Sequence, residues 1–121
     1  MKTLTLPLQR KWFDMIKSGE KKEEYREISK FWSTRFLGAS LTEKFNLVDY
    51  KFVILQKLKD DLNVIFGIDK FESLIFTLGY PNADDTERRL TFKNPKIRIG
   101  YGKPEWGAEP GKMYFVISWG E

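Results

Sequence analysis

Gly19-Glu20-Lys21-Lys22-Glu23-Glu24-Tyr25-Arg26-Glu27 places seven charged side chains in nine residues, too many for a core segment. Upstream of it, Leu8, Trp12, Met15 and Ile16 recur at helical spacing, and Gly19 stands where a glycine ends a helix. If the chain then turns extended, Glu24 and Arg26 share one face of a strand and Tyr25 takes the other. Lys21 lies where the chain leaves the helix and bends over the Glu24 and Arg26 face. A lysine, a carboxylate and an arginine converging at one end of a sheet bind a phosphate or an amide, the carboxylate ordering the two cations. The plainer alternative is a solvated edge strand whose charges discourage aggregation.

Working outward, Lys2 to Leu6 alternates as a strand does, with Leu4 and Leu6 on one face. Ser29 caps a second helix carrying Phe31, Trp32 and Phe36 and ending at Gly38. Ser40-Leu41-Thr42-Glu43 is a capping box ahead of Phe45, Val48, Phe52, Leu55, Leu62 and Ile65, an amphipathic stripe that runs to Gly67. Beyond Gly67 the texture changes. Glu72 to Leu78, Leu90 to Ile99 and Met113 to Trp119 are rich in strand-forming residues. Turn chemistry at Tyr80-Pro81-Asn82, Gly100 to Pro104 and Gly107 to Gly111 separates them. A strand, helices and then a run of strands predict an α+β domain with a curled antiparallel sheet or small barrel.

Composition narrows the chemistry. The 121 residues fit one domain. Neither Cys nor His occurs, which excludes thiolate and imidazole catalysis, Cys/His zinc sites and disulfides. Any acid, base or nucleophile therefore comes from Lys, Asp, Glu, Tyr, Ser or Thr. A net charge of +4 permits an anionic partner without requiring one. The longest purely apolar runs, Phe52-Val53-Ile54-Leu55 among them, are only about four residues, far short of the roughly 20 that span a bilayer. A cytoplasmic chain with no membrane partner is expected. Gly100-x-Gly102 lacks the third glycine and following helix of a dinucleotide site, and no phosphate-binding GxxxxGK[ST] loop exists. No cofactor is implied.

Gly19-x-Lys21-x-x-Glu24-x-Arg26 resembles the G-x-K-x-x-E-x-R signature of the ASCH domain family. Leu6-Pro7-Leu8 followed by Trp12-Phe13-Asp14-Met15-Ile16 extends the resemblance to small stand-alone bacterial and phage members, as does Lys103-Pro104-Glu105-Trp106-Gly107-Ala108-Glu109-Pro110-Gly111 followed by Tyr114-Phe115-Val116-Ile117. It covers about residues 4–38 and 70–119. The resemblance implies a PUA-like fold, a small β-barrel with flanking helices, and an RNA-related role at a cleft lined by the signature. One bacterial subgroup hydrolyses N4-acetylcytidine, and other members are ribonucleases. Lys21 matches the lysine that the subgroup uses as its base. Glu24 stands where that subgroup has a threonine nucleophile, and Glu109 or Glu105 would supply the remaining acid. The segment at about 40–67 is an insertion relative to compact members.

Trp106, in a Gly/Pro-rich loop between two acids, either stacks on a base or folds back over the barrel; Tyr25 and Tyr101 are weaker candidates, Tyr25 as a core residue. Between Arg88 and Lys112 seven basic residues, Lys103 among them, face two acids, Glu105 and Glu109. That is a phosphate track or an ordinary solvated strand whose alternation spreads the cations over both faces. Asp84, Asp85 and Glu87 form a charged turn rather than a magnesium site.

These features describe a single α+β domain over residues 1–121 that takes RNA or a modified nucleoside. Lys21, Glu24 and Glu109 are the candidate catalytic residues, with Gly19, Tyr25, Arg26, Lys103, Glu105 and Trp106 contacting substrate. No metal is involved. The rival functions are a nucleic-acid-binding module without turnover, and an accessory protein acting through the inserted helix. Burial or a nearby arginine would free the Lys21 lone pair, while an adjacent carboxylate favours the ammonium, so anchor and base both stay open.

Overall fold

The computed structural model describes residues 2–37 and 71–120. The expected insertion at 40–67, with its capping box and stripe, lies outside the described residues. Two helices, α1 (Arg10–Lys17) and α2 (Lys30–Leu37), accompany five strands: β1 (Thr3–Leu8), β2 (Glu24–Glu27), β3 (Ser73–Leu78), β4 (Arg89–Tyr101) and β5 (Met113–Gly120). The strands form one mixed sheet in the order β1-β3-β4-β5-β2, so the chain is α+β.

The expectation of an antiparallel sheet fails at its first pair. β1 runs parallel to β3, with Thr3 opposite Ser73 and Leu8 opposite Leu78, and β3 is antiparallel to β4. Parallel neighbours need a crossover of a dozen or more residues, and the long stretch from Leu8 to Ser73 supplies it. The same pairing claims Leu8 for β1 rather than α1. Gln9, extended at φ −72° and ψ 156°, separates strand from helix.

The described residues fall into two compact units, to which β4 and β5 each contribute at one end. The first unit takes in residues 2–24, 71–95 and 118–120. Its core holds Leu4 and Leu6 from β1, Phe13 and Ile16 from α1, and Leu74 and Phe76 from β3, all buried. The Phe76 ring meets Phe92 and Trp119 edge-on, with centroids 6.0 and 4.9 Å away. Alternation in β1 explains the burial of Leu4 and Leu6, since residues two apart line one face of a strand.

The second unit takes in residues 25–37 and 96–117. Tyr25, Ala108, Tyr114 and Val116 form a buried cluster, and Trp106 packs against it half-buried. Phe36 of α2 meets Phe115 of β5 at 5.1 Å. Ser29 caps α2 as expected, accepting the Trp32 N–H at 3.3 Å. Along β4, alternation slips by one residue at Asn94, the described non-glycine residue with positive φ (52°). Phe92 turns inward before it, Ile97 and Ile99 after it, and Lys93, Lys96 and Arg98 all take exposed positions. Strict alternation would have divided these cations between two faces. Among the described residues, no helix is long and apolar enough to cross a membrane.

Candidate functional site

Helix α1 ends by the geometry its glycine dictates. Ser18 N–H donates to the Asp14 carbonyl at 3.0 Å and Gly19 N–H to that of Ile16 at 3.1 Å. Gly19 has φ 86°, a left-handed conformation that costs any side chain. The reversal returns the chain over the last turn of the helix, where Lys21 N–H donates to the Met15 carbonyl at 3.0 Å. The lysine side chain is thereby sent inward, and it is 1% exposed.

Inside, Lys21 Nζ donates to Glu24 Oε1 at 2.8 Å and lies 4.4 Å from the centroid of the Trp12 ring. Glu24 is buried as well. The carboxylate and the aromatic face attract an ammonium at Lys21, while its burial opposes the charge. The signature spacing thus has a physical basis. Glycine reverses the chain, the lysine two residues on folds under the helix, and the glutamate three further on meets it from the first residue of β2. Trp12 belongs to this group, which its place on the α1 stripe did not reveal: the stripe identified it as a core residue, and only the Gly19 reversal brings a cation to its ring. Lys11, exposed, also approaches that ring at 4.6 Å.

The other residues singled out in the sequence are placed in the second unit. Arg26 is half-buried; its Nη1 donates to the carbonyl of Tyr25 at 2.8 Å, and its guanidinium stands 5.3 Å from the Trp32 ring. Tyr25 is buried, with its ring 5.7 Å from that of Tyr114. Its hydroxyl accepts the Lys103 N–H at 3.0 Å, and the Tyr114 hydroxyl accepts the Glu109 N–H at 3.0 Å. Two tyrosine hydroxyls therefore pin both ends of the loop that carries Trp106.

Within that loop Pro104–Trp106 form a 3₁₀ turn closed by Gly107 at φ 102°, and Lys103 Nζ sits 4.4 Å from the Trp106 centroid. Glu105 and Glu109 are exposed. Gly102 is confined: a Cβ there would come within 2.6 Å of both the Tyr25 ring and Ala108. The sequence marks Gly102 only as a turn residue and Tyr114 only as a strand residue; their contacts with Tyr25, from the other end of the chain, carry no local signal.

The acidic turn is closed by its own arginines. Arg88 pairs with Asp85 at 3.2 Å, and Arg89 donates to the carbonyls of Asn82 and Asp85 at 2.9 and 3.1 Å. Among the described residues no group of three or more acidic side chains is placed to hold a metal ion.

The structure thus brings Lys21 and Glu24 together with Trp12, and separately brings Tyr25 together with Lys103, Trp106 and Glu109 through Tyr114. No protein-family model, curated protein or solved structure matches the chain.

Proposed function

We propose that the chain is a PUA-like domain of the ASCH family, its strands closing into a small barrel, and that it takes RNA or a nucleoside derived from it at Lys21 and Glu24. The observation that supports this reading is the buried ion pair held against an aromatic ring. An ammonium donates only and a carboxylate accepts only, so side by side they complement a group with one acceptor and one donor. The N4-acyl amide of a modified cytidine is such a group: its carbonyl oxygen takes the Lys21 proton donor, and its N–H faces Glu24.

For hydrolysis, Lys21 stabilises the oxyanion formed when water adds to the acyl carbon, and Glu24 removes the proton of that water. The C–N bond then breaks, the proton passes to the departing cytosine N4, and acetate and cytidine are released. Glu24 acts here as a base and carries no acyl group, so the hydroxyl chemistry of the threonine subgroup is not needed.

The burial of Lys21 favours a second reading, in which the pair braces the chain beneath α1 and the domain binds RNA without turnover. Incubation of the protein and its Lys21→Ala variant with N4-acetylcytidine, followed chromatographically, separates the two. Cytidine released by the wild type and not by a folded Lys21→Ala supports hydrolysis. A folded wild type that releases none overturns hydrolysis and leaves the binding module.

A further inference from the structure

We infer that the Trp12 ring is the gate to the Lys21–Glu24 pair and that the Lys11 ammonium latches it shut. The inference rests on the reading that substrate is taken at that pair, and it supplies the way in. All four residues belong to the first unit.

The pair is closed as it stands. The side chains of Lys21 and Glu24 are 1% and 6% exposed, so a substrate reaches them only after a neighbour moves. The backbone beside Lys21 is tied down, since the N–H groups of Ser18, Gly19 and Lys21 all donate to carbonyls of α1. Glu24 is set in β2. Trp12 differs from both. Its ring lies against the buried ammonium at 4.4 Å and is itself only half-buried, so it touches Lys21 and solvent alike.

The Lys11 ammonium stands 4.6 Å from the centre of the Trp12 ring, on an exposed side chain. Two ammonium groups crowded onto one face of a ring repel each other, and here one is buried and the other is in water. A ring with Lys21 on its inner face and Lys11 on its outer face accounts for both facts. A cation over an aromatic face in water holds weakly, as a latch that must release has to.

The two ends of α1 are secured unequally, and the ring is mounted on the weaker one. The last turn is fastened by the three backbone bonds that return the chain to Lys21. In the first turn the Gln9 cap makes no side-chain bond and no acidic residue is present. Arg10 and Lys11 add positive charge at the positive end of the helix dipole. Local opening starts where a segment is held least, and here that is the turn carrying Lys11 and Trp12. Phe13, buried in the core, limits the opening to this turn.

The test measures how fast Lys21 is acetylated by the N-hydroxysuccinimide ester of acetic acid, read by mass spectrometry of its peptide. Wild type, Lys11→Met, Lys11→Arg and Trp12→Ala are compared, with circular dichroism confirming their folds. Lys11→Met is expected to raise the Lys21 rate about 2- to 5-fold, the worth of one exposed cation on a ring. Lys11→Arg keeps a cation there and should hold the wild-type rate, while a folded Trp12→Ala should react faster still. Loss of the Lys11 charge by itself favours the ammonium at Lys21 and slows acetylation, so a faster rate reports access. Each rate is measured again in sub-denaturing urea. A swinging ring exposes little surface and leaves the rate flat, whereas access through global unfolding makes it climb steeply.

A wild-type rate in Lys11→Met, or Lys21 rates that climb with urea as global unfolding does, overturns the inference. The nucleoside assay keeps the two proposals apart. Cytidine release with Lys21 acetylation indifferent to Lys11 removes the latch and leaves the Lys21 reading standing. Lys11-dependent acetylation without cytidine release keeps the gate and overturns hydrolysis at the pair.

Discussion

Two ion pairs in this protein have the same length and different surroundings. Lys21 Nζ and Glu24 Oε1 are 2.8 Å apart with side chains 1% and 6% exposed. Lys112 Nζ and Glu27 Oε1 are also 2.8 Å apart, with side chains 39% and 66% exposed. Water screens the second pair and solvates either partner if the other is lost, so such pairs are worth little. The first pair has lost its water, and removal of one member takes away a counter-charge that solvent does not replace. Distance, the quantity that looks most telling in a list of contacts, does not separate the two. Their chain separation points the wrong way as well: the local pair is the buried one, and the pair 85 residues apart is exposed.

The largest expected effect breaks the buried pair. Lys21→Met keeps the chain length of the side chain but leaves Glu24 buried without the ammonium, and should cost about 3–5 kcal/mol in urea denaturation. Lys21→Met combined with Glu24→Leu should recover at least half of that loss, since a hydrophobic pair of similar volume carries no stranded charge. A double variant as unstable as the single one would show that Glu24 is not what makes the loss of Lys21 costly. The ring contact with Trp12 adds a smaller part, up to about 2 kcal/mol for a desolvated cation.

How far this contrast was legible in the sequence depends on the range over which each contact is encoded. The Lys21–Glu24 pair was legible because everything that makes it is local: a helical stripe, a glycine with positive φ, then two residues at fixed offsets. Strand alternation reads Arg26 onto the face of Glu24; its guanidinium donates to the Tyr25 carbonyl and stands near the Trp32 ring. The tail of α1 and the approximate spans of β3, β4 and β5 were legible from periodicity and turn residues.

The β1–β3 pairing was not, because nothing within a strand states whether its distant partner runs parallel. Nor was the slip at Asn94, although asparagine tolerates the left-handed conformation and Asn94-Pro95 is a turn-prone dipeptide. Counting strictly by two across it assigns Lys96 and Arg98 to a different face from Lys93. The tyrosine pins were invisible for a third reason. Tyr25 and Lys103 are 78 residues apart, and a buried tyrosine announces a hydroxyl partner without naming it.

Two intermediate changes sharpen the comparison within the second unit, where packing rather than charge does the holding. Gly102→Ala should destabilise by about 1–3 kcal/mol, because a Cβ would meet the Tyr25 ring and Ala108 in a filled space. An equilibrium unfolding curve for Gly102→Ala that overlays the wild type would show that the Trp106 loop gives way without cost. Tyr114→Phe removes only the acceptor of the Glu109 N–H and should cost about 0.5–1.5 kcal/mol in the same measurement. It keeps the ring in the cluster, so a larger loss would mean that the hydroxyl holds more of the loop than its one bond to Glu109.

The smallest effect belongs to the exposed pair, and its signature is a dependence on pH. The hydrogen bond with Glu27 raises the pKa of Lys112 above the ordinary lysine value of 10.5; partial burial opposes the rise, while the charges of Glu27 and Glu109 add to it. A pKa raised by folding means that the folded state holds the proton more tightly than the unfolded chain does. The stabilisation is therefore fully present below the unfolded value and is lost as pH rises through the folded one. Lys112→Met should then differ from wild type by a small, constant amount between about pH 6 and 9, in a range where neither state titrates this lysine. The difference should shrink above about pH 10.5, and added salt should shrink it at every pH, because the pair is open to counterions. The same variant series at position 21 should resist salt, since counterions do not reach a buried pair. If salt erased the cost of Lys21→Met as readily as that of Lys112→Met, solvent would have access to both pairs, and burial would no longer explain the difference between them.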